Sequence, residues 1–300
     1  DIQSASEIAL AKIGDQSIVP TLKKMAKNDK TGSGSYHKVV RESAGLSFGL
    51  LQKDDEDVRS FLIDVVQDQD LDASFVRPFS AISLGLIGAE NDKDSAVSAA
   101  LIAVVAGKEK KSEVKPAALV ALGLLGNGNV VPDLLFMLEN GKADASKVES
   151  VKVADELSDV EMAFVVQALG KIGAPGTDEP GQEMVVVKSI TELLSSKKSN
   201  KTDKNVRRSA AIALGQLAPQ CTAEQQTAIM KTLKECALDK KNDASQRNFA
   251  AIAIGRIGST EGVEAKTRDE AIATLKHLMN KAKPKDICQP FAAIGLGLIA

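Results

Sequence analysis

Ser209–Ala218 reads SAAIALGQLA, and forty residues on Phe249–Gly258 reads FAAIAIGRIG. Six further stretches carry the same phrase in the same register: EIALAKIG ending at Gly14, SAGLSFGLL at Leu51, FSAISLGLIG at Gly88, AALVALGLLG at Gly126, FVVQALGKIG at Gly173 and FAAIGLGLIA at Ala300. The small residue at the centre of each phrase serves as a marker: Ala11, Gly49, Gly85, Gly123, Gly170, Gly215, Gly255 and Gly297. Successive markers are 38, 36, 38, 47, 45, 40 and 42 residues apart, the spacing of stacked two-helix units. One before the marker stand Leu10, Phe48, Leu84, Leu122, Leu169, Leu214, Ile254 and Leu296; two after it come Ile13, Leu51, Ile87, Leu125, Ile172, Leu217, Ile257 and Ile299. Positions −2 and −5 are mostly Ala, Ser or Gly. Large residues at −1 and +2 with small ones at −2 and −5 form one stripe at helical period, and the small residues allow neighbouring helices to approach closely.

Between markers runs a second helical register, Leu22, Leu62, Leu101, Leu134, Ile190, Leu233 and Leu275, with a partner three residues on at Met25, Val65, Val104, Met137, Leu193, Cys236 and Leu278. No strand pattern competes with it. The reading is therefore an all-α chain, a right-handed α-solenoid of about eight helix pairs forming one array over residues 1–300. The chain starts and stops inside a marker helix, which leads us to expect a window on a longer protein with both ends uncapped.

Composition agrees. Hydrophobic residues make up 44% and charged residues 26%, values of a globular chain. With eight Phe, one Tyr and no Trp, the core must be built from Leu, Ile, Val and Ala, which favours close-packed helices. Lys and Arg number 38 against 40 Asp and Glu, a formal charge of −2, so no global field draws polyanions. Cys221, Cys236 and Cys288 are an odd count without metal-ligand spacing. No apolar run reaches the ~18 residues of a membrane span, there is no signal-peptide pattern at Asp1, and the compartment stays open.

These features resemble HEAT-repeat proteins, specifically the short Ala- and Gly-rich HEAT-like repeats of the phycobilin-lyase type, over essentially the whole chain. The resemblance implies a basic residue eight before the marker, and Arg41, Arg77, Lys115, Arg207 and Arg247 stand there, with Met162 and Gln289 as exceptions. In Asp203-x-x-x-Arg207 and Asp243-x-x-x-Arg247 an acid precedes by four. Such pairs resemble the family's ladder between successive repeats, in which Asp caps the marker helix and Arg reaches a neighbouring carboxylate. A purely solvated role is the alternative.

Candidate chemistry is sparse, and no catalytic or metal-binding residue is assigned. His277 falls where other repeats carry Lys, Asp or Glu, and His37 precedes a marker helix. Neither is followed by Glu, so the His-Glu pairs of iron-binding HEAT hydroxylases are missing. Cys236 and Cys288 occupy core positions, whereas Cys221 follows Pro219-Gln220 in a turn. Gly32–Ser35 and Gly126–Asn129 lack the lysine of a phosphate loop and read as loops. The sequon at Asn200 is too short to be informative.

A solenoid offers its surface to proteins and peptides. Position −3 carries Leu46, Ile82, Val120, Gln167, Ile212, Ile252 and Ile294, and +1 carries Leu50, Leu86, Leu124, Lys171, Gln216, Arg256 and Leu298. Either the −3 row is sealed between adjacent marker helices, or the two rows make a concave apolar groove whose polar breaks at Lys171, Gln216 and Arg256 set the register of a bound segment, with Gln167 and, at −7, Arg208 and Asn248 as further groove candidates. Turns after marker helices are acidic at Asp54–Asp57, Glu90–Asp94 and Asp178–Glu183. The opposite edge is basic at Lys197–Lys204 and Lys281–Lys285. An insertion within 140–161 holds Val148, Val151, Val153 and Leu157 and is expected to add a helical turn. The function expected is a non-enzymatic scaffold without cofactor, whose partner is another protein or peptide, or its own flanking domains. A bilin lyase or lyase chaperone, implied only by the resemblance, is the first alternative. Nucleic-acid binding is the second, and the lack of a basic stripe and of stacking aromatics counts against it.

Overall fold

The computed structural model describes residues 2–29, 34–52, 55–71, 75–88, 96–148, 151–173, 182–195, 202–281 and 288–300. They form two compact units, Asp1–Leu157 and Ser158–Ala300. Where the spacing suggests one array, the boundary between the units falls in the long interval before Gly170. The first unit holds α1 (Ile2–Lys12), α2 (Val19–Lys27), α3 (Lys38–Leu51), α4 (Glu56–Gln67), α5 (Val76–Ile87), α6 (Ala96–Ala106), α7 (Val114–Leu125) and α8 (Val131–Asn140). The second holds α9 (Asp159–Ile172), α10 (Gln182–Leu194), α11 (Lys204–Leu217), α12 (Ala223–Leu238), α13 (Ala244–Gly258), α14 (Ala265–Lys281) and α15 (Cys288–Ile299). Among the described residues there is no strand, only an isolated bridge between Lys142 and Glu156.

Every odd-numbered helix carries a marker and every even-numbered one carries an anchor of the second register. All seven anchors, from Leu22 to Leu275, are at most 1% exposed. Within each unit, successive marker helices pack on one another, α1 on α3, α3 on α5 and α5 on α7, then α9 on α11, α11 on α13 and α13 on α15. The even-numbered helices pack behind them, α4 on α5 and α12 on α13 for example. This is the packing of an α-solenoid.

Local chemistry sets the helix boundaries. Asp55 caps α4 by accepting from Val58 N at 2.8 Å, and Ser158 and Thr222 open α9 and α12 with full capping boxes. One turn occurs twice: Gly14-Asp15-Gln16-Ser17 and Gly126-Asn127-Gly128-Asn129 each place a glycine at positive φ, then an Asx side chain that accepts from the backbone N–H two residues on. Each leads through a short 3₁₀ turn to Val-Pro at the start of a helix, α2 or α8. The Gly126–Asn129 stretch is thus a helix-opening turn.

The insertion does not form the expected amphipathic helical turn. Gly141, at φ 68°, ends α8, and the two ends of the insertion meet, with Leu157 N–H donating to Gly141 O at 2.7 Å and Asp155 N–H to Ala106 O at 3.1 Å. A short 3₁₀ turn at Ala145–Lys147 is its helical content among the described residues. Val148 is buried while Val153 is 82% exposed, so its valines do not share one face.

Candidate partner-binding face

Each marker helix presents four directions. Position −1 looks toward the even-numbered helices, where the Phe48 ring lies 5.4 Å from Phe61 of α4. The marker looks toward the next marker helix, and meets that helix at its own position −2. A Cβ placed on Gly49 would lie 2.9 Å from Ser83 Cα, on Gly85 2.7 Å from Ala121 Cα, on Gly170 2.5 Å from Ala213 Cα, on Gly215 2.9 Å from Ala253 Cα, and on Gly255 2.5 Å from Gly295 Cα. The small residue at −2 and the glycine at the marker are therefore the two sides of one backbone-to-backbone contact. Ser83 adds hydrogen bonds to it: Gly49 N–H donates to Ser83 Oγ at 2.9 Å, and that hydroxyl donates to Gly45 O at 2.7 Å. Markers Ala11 through Gly255 are buried. Gly297 is exposed, with nothing within 4 Å of an added Cβ.

The remaining direction is outward, and positions −3 and +1 occupy it. In the first unit Leu46, Ile82 and Val120 with Leu50, Leu86 and Leu124 are all half-buried. In the second unit Gln167, Ile212, Ile252 and Gln216 are half-buried, Lys171 and Arg256 are exposed, and Ile294 and Leu298 are 52% and 43% exposed. The −3 row is therefore not sealed inside the stack.

Two residues placed in the groove by sequence lie elsewhere. Arg208 Nε and Nη2 donate to Asp243 Oδ1 at 3.0 and 2.9 Å, so it ties α11 to the N-terminus of α13. Asn248 is 3% exposed and belongs to the interior.

The residues eight before the marker act as ties, and their partners are mixed. Arg77 is 1% exposed. Its Nε donates to Val66 O at 2.8 Å, at the end of α4, and its two terminal nitrogens grip Glu109 at 2.9 and 2.6 Å. Burial pushes the Glu109 carboxyl up. The Arg77 hydrogen bonds and charge and the N–H groups of Lys111 and Lys110 outweigh that and hold it below the usual carboxylate range. Arg247 Nε donates to Ala237 O at 3.0 Å, at the end of α12. Gln289 Nε2 donates to Met279 O at 2.8 Å, so this exception to the basic pattern makes the same backbone tie. Lys115 Nζ stands 3.6 Å from Asp155 Oδ2, Arg41 is buried at the start of α3, and Arg207 donates to Asn242 Oδ1. Asp203 and Asp243 cap α11 and α13, accepting from Asn205 N at 2.7 Å and Ser245 N at 3.1 Å. Capping by Asp is as the sequence suggests, but the arginine on the next carboxylate is Arg208, one position from the one expected.

Sequence reasoning missed Glu109, which carries no periodic signal, and Glu7. Glu7 is 5% exposed and accepts from Ser43 Oγ at 3.1 Å. Burial pushes its carboxyl up to about 7, with the Ser43 hydrogen bond opposing.

Among the described residues no group of three or more His, Cys, Asp or Glu is arranged to hold a metal ion. His37 and His277 are exposed, Cys236 and Cys288 are buried, and Cys221 is half-buried. Burial pushes the Cys236 thiol up to about 11, which suits packing rather than nucleophilic attack. In the acidic turns, Asp55 is the cap already described and Glu56 and Asp57 lie in the first turn of α4, where the helix dipole favours them. Gly32, Ser33, Asp54, Glu90–Asp94, Asp178, Glu179, Lys197, Lys198, Asn200, Lys201, Lys283 and Lys285 lie outside the described residues, as do the side chains of Glu183 and Lys281.

Two clefts of about 680 and 800 Å³ lie beside the insertion loop in the first unit. In the second unit a cleft of about 480 Å³ is lined by Lys171, Gln216 and Arg256, and a smaller apolar one of about 210 Å³ by Ile212, Phe249 and Ile252.

The packing and the outward rows define the class, an all-α helical-repeat protein of the HEAT-like and armadillo-like α-solenoid fold. No helix among the described residues is long and apolar enough to cross a membrane. No protein-family model matches the sequence, and no curated protein matches it. Among solved structures the chain is similar to the complex of CpcE and CpcF of phycocyanin lyase from Nostoc sp. PCC7120, at 21% identity and a TM-score of 0.46, covering 93% of each chain. It is also similar to a designed armadillo repeat protein, at 17% identity and a TM-score of 0.40 over 80% of this chain and 100% of that one. A third is Uso1-2, at 11% identity and a TM-score of 0.47 over 99% of this chain and 61% of that one. At these identities no residue inherits a role.

Proposed function

We propose that this chain is a non-enzymatic protein–protein interaction scaffold that offers the outward rows of its marker helices to another protein. The observation that carries the reading is the set of six half-buried aliphatic side chains at −3 and +1 on α3, α5 and α7. The interior of the stack does not consume them, and rows of this kind are what helical repeats use to seat a partner. Chromophore handling is supported only by likeness of the repeat, and fold is a poor guide to activity.

The test compares the protein with a Leu50→Glu, Leu86→Glu variant of matched thermal stability. Both are used as bait, and recovered proteins are identified by mass spectrometry. A partner recovered by the wild type and depleted at least tenfold by the variant supports the scaffold. Equal recovery by both, or a visible absorbance band that copurifies with the chain, overturns it. Salt-sensitive retention on heparin points instead to nucleic acid.

A further inference from the structure

We infer that the second unit seats an acidic peptide segment that carries a large aliphatic or aromatic side chain beside its acid, between α11 and α13. The inference rests on the scaffold reading and names the chemistry of one partner segment. The apolar part of the site is the cleft of about 210 Å³ lined by Ile212, Phe249, Ile252, Ala253 and Arg256. The polar part is the adjoining cleft of about 480 Å³, whose lining includes Lys171, Gln216, Arg256 and, on its rim, Glu261. Arg256 borders both, so an acid at the guanidinium and an apolar side chain in the pocket stand close together on one segment.

Arg208 of the same unit is held by Asp243 and Lys234 by Glu270, whereas Lys171 and Arg256 are exposed and have no ion-pair partner among the described residues. Glu261 leaves the cleft with a net charge of +1 from these three side chains. Packing does not require charge at +1, because α3, α5 and α7 fill the same position with Leu50, Leu86 and Leu124. Arg256 also lies against α11: its Cδ is 3.6 Å from where a Cβ on Gly215 would sit, an ordinary packing distance. An apolar side chain in the pocket excludes water beside the guanidinium and strengthens its contact with a carboxylate. A nucleic-acid backbone is the rival polyanion. Against it, the site has one acid on its rim, and its ring, Phe249, is half-buried in the apolar part.

The experiment selects a random twelve-residue peptide library on the immobilised full chain and on a Lys171→Glu, Arg256→Glu variant, with thermal melts of both to show that the fold is retained. We expect enrichment of Asp or Glu within four positions of Leu, Ile, Met or Phe. A synthetic selected peptide followed by fluorescence anisotropy should bind roughly tenfold or more weakly to the double variant, and should weaken as salt rises. Ile252→Ala should weaken it without changing the salt dependence. Peptides retained equally by the double variant, or enriched without acids, overturn this site and leave the scaffold reading standing. No enrichment on either form counts against both. Displacement of the selected peptide by a single-stranded oligonucleotide overturns the peptide assignment in favour of nucleic acid.

Discussion

Replacing Gly85 by alanine tests the rule that each marker glycine receives the small residue of the next marker helix. In an isolated helix the change is favourable by about 1 kcal/mol, because glycine is the poorer helix former. Here the new Cβ would lie 2.7 Å from both Cα and the carbonyl oxygen of Ala121, and carbon atoms pack at roughly 3.5–4.0 Å. Both neighbours are backbone, so no rotamer change relieves the clash and α5 must move from α7 by about 1 Å. Overpacking of this kind costs about 1–3 kcal/mol, and rigid backbone on both sides puts this step toward the upper end, leaving a net loss of about 1–2 kcal/mol. For a unit of 157 residues that lowers the midpoint of thermal unfolding by roughly 2–8 °C, read by circular dichroism at 222 nm. Gly297→Ala is the internal control: nothing lies within 4 Å of the added methyl, so it should be neutral or stabilising by about 0.5 kcal/mol. If Gly85→Ala stabilises the chain, or if the two substitutions act alike, the backbone-to-backbone step is refuted.

Arg77→Ala strands a buried carboxylate and should cost about 3–5 kcal/mol in urea unfolding, with much of it recovered in Arg77→Met, Glu109→Leu. Because the folded Glu109 carboxyl titrates below its unfolded value of 4.5, the stability it contributes is complete above that pH and is lost as pH falls through the folded value. Glu109→Gln should flatten this acid limb in unfolding midpoints taken from pH 6 to pH 3. Glu7 has the opposite sign: with a folded value of about 7 against 4.5, its native form binds the extra proton, so stability falls as pH rises from 4.5 to about 7 and levels off above. Glu7→Gln should remove that decline and stabilise the chain at pH 8 by on the order of 3 kcal/mol, read from the same midpoints. Val153→Ser, at the exposed turn of the insertion loop, should leave stability within about 0.5 kcal/mol.

The half-buried rows explain why the candidate face was only partly legible. Helical phase alone places −3 and +1 together, about 40° apart around the axis. Whether that side meets solvent or another helix depends on which face each neighbour approaches. Arg208 and Asn248 show the consequence. They stand at the same register position, −7, yet one spans to Asp243 and the other is buried.

The amino-acid order alone determined the helix pairs and the seven buried anchors, each of which depends on residues a few positions apart on one helix, where backbone geometry fixes direction. Helical phase put the marker glycines on the outward side, whereas the structure buries Gly49, Gly85, Gly170, Gly215 and Gly255 against the next marker helix. Tertiary structure alone decided which charges are spent. Arg207 and Arg208 differ by one residue and hence by about 100° around α11, enough to send one to Asn242 and the other to Asp243. It also brought the two ends of the insertion together, since Gly141 ends α8 and the N–H groups of Asp155 and Leu157 find partners at Ala106 and Gly141. Contacts between residues tens of positions apart depend on how far one helix slides along the next, a distance set by the whole stack and by no local motif.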